Sequence, residues 1–437
     1  MHNPLLPLVL AVLTFSSIAS AAGHVIERDV VPSQLKLRAF QSPSPDVNVS
    51  SWVAISREMS RKNTHLNAFL NARHRGRYGS SPTTSVQLGQ AWFTPIQVGG
   101  KTYKLLVDTG SSDTWIATKG FKCFDESGIV PQADCAFGPL YDPRRELEPI
   151  NNVNFNIFYG DGAFLRGSYG MARVTLAGIT TFAFKGTNYS ADTPENQLPY
   201  NPIFTTMYTQ YKIPPVFSLA INRPSIPPNS APEGYLALGG LAPVSTTGKW
   251  AKTDIEFPVG DSYYINGSLP YPQLQNYITT PDALLYTLTP PNLPPIWQPL
   301  NTTLPTPSSL PPSPSKLPFQ VYIDSLVTQS WLPPSTADQI ASLFNPPAIW
   351  NDTIYGYSVP CDAVVPQLAV KIGGVILPWD KRDLIMPEFP NGGGCVSGVN
   401  NGQGYQPYTL GATFMRSNLV VYDVGAAEIR IKSRGNY

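Results

Sequence analysis

Two apolar runs, one in each half of the chain, end in an aspartate followed by a hydroxyl residue. The first is Leu105-Leu106-Val107-Asp108-Thr109-Gly110-Ser111-Ser112, and the second is Val321-Tyr322-Ile323-Asp324-Ser325-Leu326-Val327-Thr328. Each reads as a buried strand. A carboxylate closing a buried strand is costly unless it is hydrogen-bonded or shares a proton with a partner. Two such carboxylates in separate halves imply a fold that brings them together as a dyad. The echo is unequal, because Gly110 in the first run is matched by Leu326 in the second.

The surrounding sequence suits a turn-rich β protein. Of 437 residues only 14% are charged and 11% aromatic, with 46 Pro and 34 Gly, which argues against both a helical bundle and a disordered chain. That length is enough to bury one large core or two. Apolar stretches bounded by Gly, Pro, Asn and Asp predict strands over 92–98, 103–107, 155–159, 171–176, 235–238, 368–372 and 419–424. One helix is expected after Pro334, with Ser335 as its N-cap and Asp338 three residues on. Residues 287–318, rich in Pro, Ser, Thr and Asn, read as an exposed insertion with extended backbone and little packing.

The first 22 residues contain no Asp, Glu, Lys or Arg; an apolar stretch over 5–13 leads into small residues ending at Ala21-Ala22. This reads as a secretory signal peptide (1–22), too short to span a membrane. No second long apolar run follows and the tail is polar, so a secreted, extracellular product without a membrane anchor is expected. Residues 23–80 hold nine Lys/Arg against four Asp/Glu, a net of +5, whereas the chain from Ser81 onward holds 21 against 25, a net of −4. A basic leader on an acidic body is expected to be a pro-segment (23–82) that neutralises an acidic cleft and acts as an intramolecular inhibitor.

All four histidines (His2, His24, His65 and His74) also precede Ser81. A mature chain without the leader has no imidazole, which excludes Ser-His-Asp and Cys-His catalysis and histidine metal centres. Carboxylates, hydroxyls, Lys or backbone groups must carry any chemistry; no cofactor, metal or nucleic-acid partner is expected. Four cysteines in a secreted chain imply two disulfides with three possible connectivities. Closeness in sequence favours Cys123 with Cys135 and Cys361 with Cys395. Sequons at Asn48, Asn188, Asn266, Asn301 and Asn351 fit passage through the secretory pathway with glycosylation.

Further pieces accompany Asp108: Ser111 and Ser112, then Trp115, then Tyr159-Gly160-Asp161-Gly162, which reads as a hairpin tip because Gly permits φ > 0. With these the sequence resembles the pepsin-like aspartic proteases, above all secreted fungal members, from about residue 91 to the C-terminus. Gly234-Tyr235-Leu236-Ala237-Leu238-Gly239-Gly240, Trp331-Leu332-Pro333, the pair Cys361 and Cys395, and Leu410-Gly411-Ala412-Thr413-Phe414-Met415-Arg416 look like later segments of that family. The resemblance implies an all-β, bilobal fold with lobes over 83–250 and 251–437 and the active site in the cleft between them. It implies that Asp108 and Asp324 flank one water and that Thr109 and Ser325 cross-brace the two loops, with Gly110 beside them. Ser111 would hydrogen-bond Asp108. Tyr159, Gly160 and Asp161 would form a mobile flap supported by Trp115. A monomer acting on peptide or protein substrates is expected.

Four positions depart from the family pattern: Leu326 for Gly, Val327 for Thr or Ser, Ser218 for Gly and Ala412 for Asp. The Cβ of Leu326 is expected to disfavour dihedrals that Gly permits, and Val327 lacks a hydroxyl that would orient Asp324. The leading expectation is an acid-acting aspartic endopeptidase. One alternative is a catalytically weak or inactive homologue that binds peptides in the cleft. A second places the two carboxylates on a glycosidic bond, against which Tyr159 and the motif context argue.

Overall fold

The computed structural model describes residues 12–14, 79–86, 89, 91–111, 114–125, 128–135, 139–142, 148–158, 164–183, 202–210, 213–224, 232–258, 276–290, 292–305, 310, 313–387, 394–404 and 407–435. Short strands dominate, as the alternation of apolar runs with Gly and Pro dictates. The strand Lys101–Asp108 shows how pattern becomes position: it alternates exposed and buried at its start and is buried throughout at its end, so it enters the core as it reaches Asp108.

Among the described residues, that strand belongs to a seven-stranded sheet, between Val12–Thr14 and Ala91–Val98, with Phe164–Leu176 and Ile179–Ala183 beyond. The second aspartate follows Val321–Ile323, in a five-stranded sheet between Ile278–Thr279 and Tyr408–Leu410. Tyr408–Leu410 runs parallel to it, with Ile323 opposite Leu410. The segment parallel to the first aspartate strand is Val12–Thr14, with Thr14 opposite Asp108. These three residues are the described part of the expected signal segment; the rest of 1–22 lies outside the described residues, as does 23–78 of the expected pro-segment.

A six-stranded sheet joins the two halves. Its order is Ala251–Asp254, Glu428–Ser433, Asn418–Asp423, Val216–Ile221, Gly234–Leu238 and Gly79–Pro82. The last strands of the chain thus lie against strands of the first half. Gly79–Pro82 belongs to this sheet although it precedes the expected end of the leader; Ser81 is buried and its hydroxyl accepts from Thr94 Oγ1 at 2.7 Å. Ser218 also lies here, opposite Ala237 and Val421. Its hydroxyl donates to the Gly240 carbonyl (2.9 Å) and accepts from the Ala242 N–H (2.7 Å). Its strand pairs with neither aspartate strand, and its buried hydroxyl is satisfied by backbone.

Two expectations change. The helix forms over Pro334–Ser342, but Pro333 occupies the N-cap. Ser335 lies in the first turn, where its hydroxyl donates to the Thr303 carbonyl at 2.6 Å. Proline's fixed φ and missing N–H suit the helix start without a side-chain cap. The Pro-rich insertion is anchored rather than loosely extended. Gln298–Pro299 pairs with Leu285 and Tyr286, Leu300 and Leu317 are buried, and the Asn301 carbonyl accepts from Thr336 Oγ1 at 2.6 Å. Among its described residues the exposed large hydrophobic side chains are Leu288, Leu293 and Ile296.

The two disulfides are Cys123–Cys135 and Cys361–Cys395. A buried ionic cluster also ties the halves together. Asp383, fully buried, accepts from Arg223 through Nε (3.2 Å) and Nη2 (2.8 Å) and from Arg416 Nη1 (3.1 Å). Arg416 also donates to the Gly89 carbonyl at 2.7 Å and lies over the Trp92 ring. Two guanidinium groups around one carboxylate supply the hydrogen bonds that a buried charge requires.

Candidate active site

Asp108 closes its strand at 1% exposure, whereas Asp324 is half-buried. Both carboxyls take a main-chain donor two residues on: Gly110 N–H to Asp108 Oδ1 at 2.7 Å, and Leu326 N–H to Asp324 Oδ1 at 2.8 Å. Asp108 gains a second partner, the Ser111 hydroxyl, which donates to Oδ2. The equivalent position after Asp324 is Val327, which offers a main-chain N–H and no hydroxyl.

The two loops meet closely enough that a Cβ on Gly110 would overlap the Asp324 carboxylate. Gly110 is therefore fixed by space. Neither Gly110 nor Leu326 has positive φ, so the expected dihedral penalty at Leu326 does not arise; any L-residue adopts this backbone, and its N–H still reaches the carboxylate.

Side chains of one loop bond the backbone of the other. Thr109 Oγ1 donates to the Ile323 carbonyl at 3.0 Å and accepts from the Ser325 N–H at 3.0 Å. Ser325 Oγ donates to the Val107 carbonyl at 2.8 Å. Thr109 and Ser325 are buried, so these bonds form without competition from water. The second loop is held further by Asp324 N–H to the Leu410 carbonyl (3.2 Å) and Ala412 N–H to the Val327 carbonyl (2.8 Å). A Cβ at Gly411 would overlap the carbonyls of Gln329 and Val327, which explains a glycine immediately before Ala412.

Electrostatics follow from this geometry. Burial raises Asp108 above the ordinary carboxylate value, opposed by the Ser111 hydroxyl and the N–H groups of Gly110 and Ser111. Burial likewise raises Asp324, the charge of Asp108 raises it further, and the N–H groups of Leu326 and Val327 oppose the rise. Two carboxyls raised in one desolvated site titrate as a pair and hold one proton between them over a range of acid pH.

Trp115 is buried at 9% exposure. Tyr159, Gly160 and Asp161 lie outside the described residues, between Glu148–Phe158 and Phe164–Leu176, which pair antiparallel up to Phe158 opposite Phe164. Among the sequons, Asn301 is exposed and Asn351 half-buried, with Asn351 Nδ2 donating to Ser358 Oγ at 3.2 Å. Asn48, Asn188 and Asn266 lie outside the described residues. Among those residues no cluster of three or more His, Cys, Asp or Glu is arranged to hold a metal. No described helix is long and apolar enough to cross a membrane.

Two carboxyls at strand ends, braced across a junction between two β halves, define the aspartyl protease class. The chain belongs to that family: the eukaryotic aspartyl protease model matches residues 91–267 and 312–433. A probable aspartic-type endopeptidase of Aspergillus fumigatus is 32% identical, with 98% of this chain and 99% of its own length aligned. Aspergillopepsin-1 of Emericella nidulans is 23% identical over 79% of both chains. An acid protease of Saccharomycopsis fibuligera is 24% identical over 78% of this chain and 80% of its own. The family carries the bilobal, mostly β fold described above.

Sequence reasoning missed two features: the buried Arg223–Asp383–Arg416 cluster that ties the halves, and Tyr422, whose hydroxyl lies beneath the two aspartate loops. Their partners are separated by 160 residues for Arg223 and Asp383 and by 313 for Tyr422 and Thr109, so no local pattern announces them.

Proposed function

We propose that the chain is an acid-acting aspartic endopeptidase that hydrolyses peptide bonds with a water activated by Asp108 and Asp324. The observation that carries this reading is the close approach of two raised, desolvated carboxyls from opposite halves, locked by the Thr109 and Ser325 bonds. Like charges in such a site resist joint ionisation, so the singly protonated pair is the working form in acid. The ionised carboxylate takes a proton from water as the water attacks the scissile carbonyl. The protonated partner hydrogen-bonds the carbonyl oxygen and then helps protonate the leaving amine. Tyr159, Gly160 and Asp161 act as a flap that closes over the peptide and excludes water, and Trp115 supports it.

The remaining parts of the reading concern maturation. Residues 1–22 direct secretion, the basic leader through about residue 82 inhibits the acidic body until acid releases it, and the product acts extracellularly as a monomer. Lobes meet near residue 250, and glycans attach at the sequons, with exposed Asn301 better presented than Asn351. Acidifying the purified full chain should release the leader and start cleavage of a denatured protein. Activity that survives Asp108→Asn overturns the mechanism. A second reading, peptide binding without cleavage, draws on the missing hydroxyl at Val327. It prevails if the wild type never cuts yet a statine-type peptide raises its unfolding temperature.

A further inference from the structure

Beneath the aspartate loops sits a phenol that the proposed chemistry does not use. Tyr422 is fully buried in the strand Asn418–Asp423, its ring stacked on Phe217 (centroids 4.6 Å apart, 15° between planes) and tilted against Tyr277 at 4.4 Å. Its hydroxyl donates to the Ile323 carbonyl at 3.1 Å and stands 3.4 Å from Thr109 Oγ1. That carbonyl belongs to the peptide unit leading into Asp324, and it already accepts from Thr109 Oγ1. Its two acceptor sites are therefore filled by one group from the opposite loop and one from the sheet joining the halves. Burial first, and then the charges of Asp324 and Asp108, hold the phenol far above its ordinary value, so it stays a donor across the working range.

The arrangement answers the asymmetry of the site. Asp108 is steered directly by the Ser111 hydroxyl, but Val327 gives Asp324 no such partner. We propose that Tyr422 is a positioning residue for the Asp324 half-site, its hydroxyl pinning the peptide before Asp324 from below in place of a hydroxyl beside the carboxylate. The inference rests on the dyad reading above. Titratable groups around the phenol are Asp108 at the end of Lys101–Asp108, Asp324 after Val321–Ile323, and Tyr277, whose ring packs against it. Asp423, on Tyr422's own strand, is bonded instead to Arg430 and the Ala426 N–H.

Tyr422→Phe keeps the ring packing and removes one donor. Loss of the pin lets the two carboxyls separate, weakening the repulsion that splits their titrations. The alkaline limb of the kcat/KM profile should move to lower pH, kcat should fall about fivefold as for one net hydrogen bond, and KM should hold. An unchanged kcat and pH profile overturns the proposal, even if the variant is less stable. Should the wild type fail to cleave, the endopeptidase reading fails while this one stays testable. The pH dependence of unfolding is then compared for wild type, Tyr422→Phe, Asp324→Asn and the double variant. A shift on Tyr422→Phe that vanishes in the Asp324→Asn background supports the positioning role; a shift that persists there, or none at all, overturns it.

Discussion

The two half-sites share one backbone design and differ in how much side chain supports it. Each carboxyl receives the N–H two residues on, and each loop sends a hydroxyl to the other's carbonyl. Around Asp108 the arrangement is dense: full burial, Ser111 on Oδ2, and a glycine whose missing Cβ admits the partner carboxylate. Around Asp324 it is sparse, with partial exposure and with Leu326 and Val327 supplying only main-chain donors. The lesson is that main-chain geometry can carry a site after its side chains have changed, because an N–H does not depend on residue type.

The comparison is tested most severely at the carboxylates. Asp108→Asn removes the shared proton acceptor with almost no change in shape, and peptide cleavage should drop by about 10³-fold or more, measured under substrate-saturating conditions. Gly110→Ala places a methyl where the Asp324 carboxylate sits. It should abolish measurable activity, while Leu326→Ala on the sparse side should retain most of it; equal losses would mean that the halves are not spaced as described.

A second way to sharpen the contrast is pH. Burial favours the protonated forms of Asp108 and Asp324, whose folded values lie above the unfolded value of 3.8. The folded state therefore binds more protons than the unfolded chain between those values, and stability must fall as pH rises from about 4 toward neutrality. Asp423, pushed up to about 6 by burial against the opposing charge of Arg430, contributes in the same direction. Thermal unfolding of wild type beside Asp324→Asn separates the two, since the substitution flattens only the dyad's share. A wild-type curve that rises over this range contradicts the described burial.

Smaller effects distinguish the hydroxyls. Ser111→Ala removes a donor to a carboxylate, a bond worth about 1.5–3 kcal/mol, so kcat should fall about tenfold and the acid limb should move to higher pH. Val327→Thr adds such a donor to Asp324, the carboxyl that the charge of Asp108 keeps protonated, and should move the alkaline limb slightly lower. The least effect is expected for Leu326→Gly, a loss of up to about 1 kcal/mol in stability from added chain freedom with activity little altered, read by denaturant unfolding.

Much of this site is legible in the sequence because it is locally encoded. The apolar runs ending in Asp108 and Asp324, the hairpin strands around residue 159 and the short spacing of each cysteine pair all declare themselves within a few dozen residues. What escapes is set by contacts distant along the chain. Ser335 looks like a cap until Pro333 supplies the helix start and Thr303 takes the hydroxyl. The insertion looks unpacked because its anchors, Leu300 and Leu317, are two apolar residues among many prolines.

The sheet shared by the two halves has a consequence for how this chain reaches its fold. Val216–Ile221 takes its neighbour from Asn418–Asp423, and Ala251–Asp254 takes its neighbour from Glu428–Ser433. Val216–Ile221 finds one neighbour nearby in Gly234–Leu238, but its other edge stays unpaired until residues 418–423 have been made. Such distant pairing makes loop closure entropically demanding and folding slow. Removing residues from Asn418 onward should leave Val216–Ile221 with one open edge and Ala251–Asp254 without a partner, so these C-terminal strands act as the closing stitch between the halves.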